Sequence, residues 1–361
     1  MESKFQFQRN EPLYRQIVAD LENKIFSGKL PPGTKIPNST RLADYFGVTV
    51  NTVQHGLDIL HTRGLVERMR RKGTFVSNKV RSGTIGVVFG VNILSAHQYR
   101  FYQFLLNRLI LKAKANNWDI RSYFPPDVNY LRKTLSEIER DSADGRLRAL
   151  IALVPCDQLE QWLEKECDLP WCILPSESVD YRYFCRLGIS HLIGLGHRNI
   201  SYIPPNPIGT CSKEHLQGIR EAFDAVSLPL PENIISSHGY TDRRGYVYAS
   251  KYLLPLPRDS RPSALLVGDD NFCRGIIYAL LNAGWRIPED ISIISHANKG
   301  IDIFFPKNIT RLEIDPDDFA DYLFFSIMAK IGNSQPLPQK PILPVLVSGE
   351  TCAKFTNSDY V

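Results

Sequence analysis

The 361-residue sequence predicts two folds in series: a small α+β module of three helices and a β-hairpin, then a two-lobed α/β domain of doubly wound parallel sheets. Three observations predict this. Helix-period apolar spacing and turn punctuation fill residues 11–76, and apolar strand-like runs alternate with helical stretches from residue 84 onward. Charge is also segregated. Residues 1–82 hold 14 Lys/Arg against 7 Asp/Glu and the remainder holds 29 against 31, so the net charge of +5 resides at the front of the chain, as a phosphate-binding module requires.

In the module, Glu11-Pro12 opens a helix, proline being tolerated in the first turn. Leu13, Ile17, Leu21 and Ile25 recur every four residues, with Tyr14 and Val18 widening the apolar face. Gly28 suits a left-handed helix end, and Leu30-Pro31-Pro32-Gly33 is a turn. A second helix spans Ser39 to Phe46 and stops at Gly47. Thr49 caps a third, with Val53, Leu57 and Leu60 inward and Val50, Asn51, Gln54 and His55 outward, Thr52 beside them. Such a helix enters the major groove by its N-terminal end. There Asn and Gln read adenine edges, His or Thr reaches guanine or phosphate, and Val50 meets a thymine methyl. Residues 66–70 and 74–77 form two strands around Arg71-Lys72-Gly73. Glycine at the tip lets backbone approach the sugar-phosphate edge, while Arg70, Arg71 and Lys72 supply charge. These parts make a winged helix-turn-helix, assigned to residues 1–77.

Residues 11–76 resemble the GntR family of bacterial transcription regulators, whose pattern runs Leu-Tyr-x-Gln-Ile, Pro-Gly-x-x-Leu-Pro-Ser, Leu-Ala, Val-Ser-x-x-Thr-Val-x-x-Ala-Leu, Gly-x-Gly-Thr-Phe-Val. The departures fall on DNA-contact positions. Thr40 stands where many members have arginine, with Arg41 one place later, and Val50 and Gln54 replace two further common arginines. The resemblance implies groove reading with an operator preference unlike the usual family one.

Residues 78–83 read as a polar linker and 84–361 as the larger domain. Strands are expected at 84–89, 119–124, 149–154, 171–174, 200–203, 234–238, 264–267 and 291–294. Helices are expected at 102–116, 130–142, 158–166, 184–195, 214–226, 243–254, 271–283 and 317–331. Alternation on this scale argues parallel sheets covered on both faces, and the length suits two lobes better than one wide sheet. Four phrases are similar to the effector domain of the LacI family, whose lobes are like those of periplasmic sugar-binding proteins. They are Thr84-Ile85-Gly86-Val87-Val88, Asp144-Gly145 before Ala149, His191 to Ile200 with its Leu195-Gly196-His197-Arg198, and Asp269-Asp270-x-x-Cys273-x-Gly275 followed by Gly284-x-x-Ile287-Pro288-Glu289-Asp290.

That resemblance implies a ligand cleft at the carboxyl ends of the strands, between the lobes. His215 stands where members commonly have arginine, and Ala297 where they have aspartate. Two readings stay open. The cleft binds an effector through His215, Asp269, Asp270 and His296 with Tyr99, Phe101 or Tyr102 as aromatic stackers, or it only dimerises. Asp270 also reads as a simple cap for the helix beginning near Asn271.

Composition excludes other classes. Apolar content is 43% and charged content 22%, so the chain is neither disordered nor fibrous. No apolar run reaches the ~18 residues of a membrane span, and residues 1–5 lack a secretory leader, so a cytoplasmic protein without a membrane partner is expected. Cys156, Cys167, Cys172, Cys185, Cys211, Cys273 and Cys352 scatter without a Cys-x-x-Cys pair, so neither a metal site nor a cofactor is expected. GntR-type heads also occur fused to aminotransferase-like enzymes that use pyridoxal phosphate. No Schiff-base lysine context, nucleophile elbow or phosphate-cradling glycine loop is found here, and no enzyme is expected. The expected function is a transcription regulator, on family analogy a repressor. As a homodimer it would bind an inverted-repeat operator in double-stranded DNA under control of a small molecule such as a sugar.

Overall fold

The computed structural model describes residues 12–26, 29–77, 83–94, 99–154, 156–174, 178–205, 213–230, 241–301, 303–331 and 341–355. Residues 78–82 of the expected 78–83 linker, the cap at Gly28 and the strand at 234–238 lie outside the described residues.

Helices α1 (Leu13–Phe26), α2 (Ser39–Phe46) and α3 (Val50–Thr62) pack around one apolar cluster built from Ile17, Val18, Leu21, Ile25, Leu42, Phe46, Val53, Leu57 and Leu60. The turn between α2 and α3 rests on local chemistry. Asn38 caps α2 by accepting the Arg41 N–H at 2.9 Å, Gly47 closes it at φ +66°, and Thr49 caps α3. Strands β1 (Val66–Met69) and β2 (Gly73–Val76) form an antiparallel hairpin with Val66 opposite Val76 and Met69 opposite Gly73. Residues 33–36 add a third segment not foreseen from the sequence: Ile36 N–H donates to Thr74 O and Val76 N–H to Thr34 O, each at 2.9 Å.

The described chain falls into two compact units. One takes residues within 1–92, 106–174 and 320–338, and the other takes those within 93–105, 175–319 and 339–361. The first holds a four-stranded parallel sheet in the order β4 (Trp118–Tyr123), β3 (Gly83–Phe89), β5 (Ala149–Leu153), β6 (Trp171–Ile173), with α5 (Leu131–Ala143) and α6 (Asp157–Lys165) against it. The second holds a five-stranded sheet in the order β11 (Val345–Val347), β10 (Thr310–Ile314), β9 (Ser292–Asn298), β8 (Ala264–Val267), β7 (Ile200–Ile203). The strands β7 to β10 are parallel and β11 is an antiparallel edge. The strands β10 and β11 were not expected from the sequence. The polar alternation Thr310-Arg311-Leu312-Glu313 and the three-residue length of β11 carry no strong apolar run.

Parallel strands buried on both faces read as near-continuous apolar runs, and β8 is apolar at every position. Ala264 and Leu266 join the cluster under α7 (Tyr181–Gly194) and α8 (Lys213–Asp224), whereas Leu265 and Val267 join the one under α9 (Asp242–Tyr248) and α10 (Asp270–Asn282). The helix expected at 243–254 is α9 followed by a π-helical turn, Ala249–Leu253. Three other helices run close to their expected spans: α4 (Arg100–Ala115), α10 and α11 (Pro316–Lys330).

The helix pairs over this second sheet touch backbone to backbone through glycine. A Cβ at Gly218 of α8 would sit 2.0 Å from Arg182 O of α7. One at Gly275 of α10 would sit 1.9 Å from Asp242 O, and one at Gly245 of α9 would sit 2.1 Å from Phe272 O. Such contacts leave no room for a methyl group, so α9 and α10 must separate to admit one. Gly275→Ala is expected to cost about 1–3 kcal/mol by overpacking. Calorimetry should show this as a lowered melting temperature, while Gly194→Ala, at the end of α7 with open space around it and ordinary backbone, loses less.

Candidate nucleic-acid interface and effector site

The face that α3 turns outward is decided by the face it buries. Val53, Leu57 and Leu60 lie against Ile17, Val18 and Leu21 of α1, and a Cβ at Gly56 would already touch Ile17 Cγ2 at 3.5 Å. At about 100° per residue this leaves Asn51, Gln54 and His55 exposed, with Val50 38% exposed at the helix start. Thr49 and Thr52 serve the cap. Thr49 Oγ1 accepts the Thr52 N–H at 3.3 Å, and the two hydroxyls lie 2.8 Å apart. The His55 ring packs edge-on against Tyr14 at 4.6 Å. Thr40 and Arg41 are exposed in the first turn of α2.

The wing tip is three exposed cations in a tight turn: Lys72 N–H donates to Met69 O at 3.0 Å across Arg70 and Arg71. Gly73 has φ +114°, a conformation that no L side chain adopts comfortably, and Arg71 takes φ +63°. Lys35 was missed in the sequence. It bridges Phe75 in the added segment, its Nζ lies 5.9 Å from the Phe75 ring centroid, and a Cβ at Gly73 would meet its Cε at 3.1 Å. Only the pairing of residues 33–36 with β2, a contact across some forty residues, brings this cation to the wing.

In the second unit the polar residues gather at the carboxyl ends of β8 and β9. Gly268, directly after β8, is needed for space, since a Cβ there would sit 2.7 Å from Pro205 Cδ. Asp269, rather than Asp270, is the cap of α10, accepting the Phe272 N–H at 2.7 Å. This corrects the capping role considered for Asp270, whose Oδ1 instead accepts from Asn271 N at 2.8 Å and Nδ2 at 3.1 Å. Burial, with the neighbouring Asp270 carboxylate, pushes the Asp269 pKa up. His215 is 4% exposed and edge-on to Tyr181 at 4.6 Å and to Tyr202 at 5.8 Å. Burial lowers its pKa to about 4, only weakly opposed by Glu214. The His296 ring lies 6.2 Å from Phe184, and its pKa is lowered by burial against the opposing charge of Asp270. Both ring nitrogens of His215 and Nδ1 of His296 are buried without a hydrogen-bond partner among the described residues.

The aromatic candidates separate. Tyr102 and Tyr181 interact electrostatically, and burial raises the pKa of both. Tyr99 neighbours Tyr102 and is half-buried. Phe101 packs at 5.2 Å against both Tyr102 and Phe319. Phe101, Asp270, Arg100, Asn271, Arg274 and Ile301 border a recess of only about 20 Å³, room for one water. Tyr181, Arg100 and Arg274 were not foreseen, because no local pattern marks a residue whose partners lie on other strands and helices.

Two family models match the chain. Residues 13–76 match the gntR family of bacterial regulatory proteins, and residues 189–352 match a periplasmic binding protein-like domain. The chain therefore joins a gntR-type helix-turn-helix to a periplasmic-binding-protein-like α/β domain. The HTH-type transcriptional repressor PurR of Escherichia fergusonii is 27% identical over 171 residues, 47% of this chain and 49% of that protein. The chain thus spans about half the length of the curated relatives it matches. Among solved structures, transcription regulator CcpA of Lactococcus lactis aligns with TM-score 0.60 at 16% identity, over 75% of this chain and 99% of that one. A LacI family regulator from Lactobacillus casei with bound sucrose aligns with TM-score 0.55 at 15% identity, over 75% and 100%. These likenesses share the α/β fold. Among the described residues no helix is long and apolar enough to cross a membrane.

An unpartnered buried imidazole is a standing cost that an apolar residue would not incur. His215→Leu is expected to stabilise the unliganded protein by about 1–3 kcal/mol. The sign with pH follows from the lowered pKa: the unfolded chain binds the proton that folded His215 refuses, so wild-type stability falls from pH 6.5 toward 4. Urea titrations should show the gap between variant and wild type widening over that interval. A constant gap would place the cost elsewhere.

Proposed function

We propose that this protein is a sequence-specific transcription regulator, a repressor, whose operator binding is controlled by a small molecule, a sugar or sugar derivative. The carrying observation is the exposed row Val50, Asn51 and Gln54 on α3 beside the cationic wing of Arg70, Arg71 and Lys72. The gntR match and the repressor relatives support it. The assignment keeps residues 1–77 as DNA-binding module, 78–83 as linker and 84–361 as effector domain. Asp269, Asp270, His215, His296 and the aromatic residues Tyr99, Phe101 and Tyr102 are its effector contacts. The His215 ring nitrogens and His296 Nδ1, buried without partners among the described residues, support this placement, and the sucrose-bound relative supports the ligand class. The effector acts by binding one of two states of the regulator better than the other. A homodimer on an inverted repeat is supported by the exposed apolar side chains of α9, α10 and the intervening π turn: Tyr246, Val247, Tyr252, Tyr278 and Leu281, each 40% exposed or more.

A second reading, in which the α/β domain only dimerises, is favoured by the small recess beside Asp270. A pyridoxal-phosphate enzyme, the rival from another class, would show a cofactor absorbance band above the protein envelope.

Two experiments test the proposal. Asn51→Ala or Gln54→Ala should cost about 1–3 kcal/mol on the operator and little on random DNA, whereas Arg71→Gln should weaken both and reduce the salt slope by about 1. Equal losses in gel shifts on both DNAs would remove α3 from base reading. In thermal shift against a sugar panel, one sugar should raise the wild-type melting temperature by mass action and leave Asp270→Ala unmoved. An unmoved wild type would favour the dimerisation reading.

A further inference from the structure

The opposite end of the second sheet carries a larger cavity, of about 780 Å³, at the amino ends of β7, β8 and β9. Its walls come from the loop before β8 (Arg258 to Ser263), the loop between α10 and β9 (Gly284 to Ser292), and the segment Ala353 to Phe355. The volume lies in the range of small-molecule sites.

The walls are held in place. The Arg261 guanidinium stacks over Trp285 at 4.7 Å and donates to Leu256 O at 2.8 Å and Leu254 O at 3.3 Å. Trp285 is itself packed on the core under α9 and α10. His197 bridges Ser263 Oγ at 2.9 Å and Ala353 O at 3.1 Å, and Phe355 N–H donates to Leu195 O at 2.8 Å, which fixes the C-terminal wall. Burial lowers the His197 pKa, so the imidazole stands there neutral.

The charges do not balance. Arg258, Arg261, Arg286 and Lys354 face the cavity against two carboxylates, Glu289 and Asp290. Asp290 is engaged by both guanidinium arms of Arg286, at 3.1 and 3.0 Å, with Arg258 a further electrostatic neighbour. Glu289 lies 3.3 Å from Lys307, which is outside the lining. Among the described residues, Arg261 meets carbonyl oxygens and a ring instead of a carboxylate, and three of its five N–H donors have no acceptor there. Lys354 has no acidic partner among the described residues.

We propose that this cavity is a second ligand site, separate from the effector residues at the other end of the sheet, and that it takes a small phosphorylated molecule. Surplus positive charge in a concave, walled space calls for an anion of more than one charge, and the fixed guanidinium of Arg261 matches the geometry of phosphate oxygens. The site does not depend on the effector reading, since it shares no residue with it.

The test uses the full chain, with pyrophosphate as probe against sodium chloride at matched ionic strength. Pyrophosphate should raise the melting temperature by about 2–4 °C beyond the salt control. The double variant Arg258→Gln, Lys354→Gln, at two exposed positions, should fold normally and bind pyrophosphate at least about tenfold more weakly by calorimetry. A wing variant, Arg71→Gln with Lys72→Gln, should keep the full shift. The proposal is overturned by no shift over salt, by a shift surviving in the cavity variant, by one lost in the wing variant, or by citrate matching pyrophosphate. The first would leave the DNA-binding and effector readings untouched.

Discussion

A parallel strand sandwiched between helices has little surface to spare, and in β8 this constraint moves the polar groups to the strand ends. All four residues of β8 are buried, two toward each helix layer, so a polar side chain within the strand would face hydrocarbon on either side. Chemistry is therefore pushed to the strand ends. At the carboxyl end, Gly268-Asp269-Asp270 supplies a close turn, a helix cap and a carboxylate in succession. At the amino end, Pro262 and Ser263 open into the basic cavity. The glycine contacts within each helix layer serve the same end: backbones that nearly touch hold paired helices in fixed register over these strand ends.

The DNA-binding module obeys a related rule with one stripe instead of two faces. Once Val53, Leu57 and Leu60 are committed to α1, the outward row of α3 follows from helix geometry, and the Thr49 cap sets where it begins. On the proposed function, this division would also separate affinity from readout. The outward row is neutral, with Val50 and Gln54 where relatives of the GntR pattern carry arginine, while the cations cluster on the wing and on Lys35. Contacts to phosphate position a protein without reading sequence, and contacts to base edges read sequence. In the proposed interface, the row Val50, Asn51 and Gln54 with a charged wing would therefore divide the two tasks between different elements.

Much of this was legible from the residue order because the signals are local. The cap at Thr49, the stop at Gly47, the α3 stripe and the apolar runs of β3, β5, β7 and β8 depend only on near neighbours. What escaped depends on distance in the chain. The residue 33–36 segment becomes strand-like only by pairing with β2, and the edge strand β11 only by pairing with β10. Tyr181 meets His215 through helices that begin more than thirty residues apart, and the basic cavity draws on four separated stretches. The exchange of Asp269 for Asp270 as the α10 cap is a one-residue shift that spacing alone does not resolve.

The electrostatics of the two strand ends differ in a way that bears on what each can hold. At the carboxyl end burial drives His215 and His296 toward neutral imidazole and Asp269 toward the protonated acid, so three of its titratable groups converge on uncharged forms. Neutral imidazole nitrogens without partners among the described residues are suited to a hydroxyl-bearing ligand, while Asp270, Arg100 and Arg274 keep charge at the edge of the recess. At the amino end the surplus of guanidinium and ammonium groups makes a different demand. The two ends of one sheet thus differ in kind: buried groups driven toward uncharged forms at one, and surplus guanidinium and ammonium groups at the other.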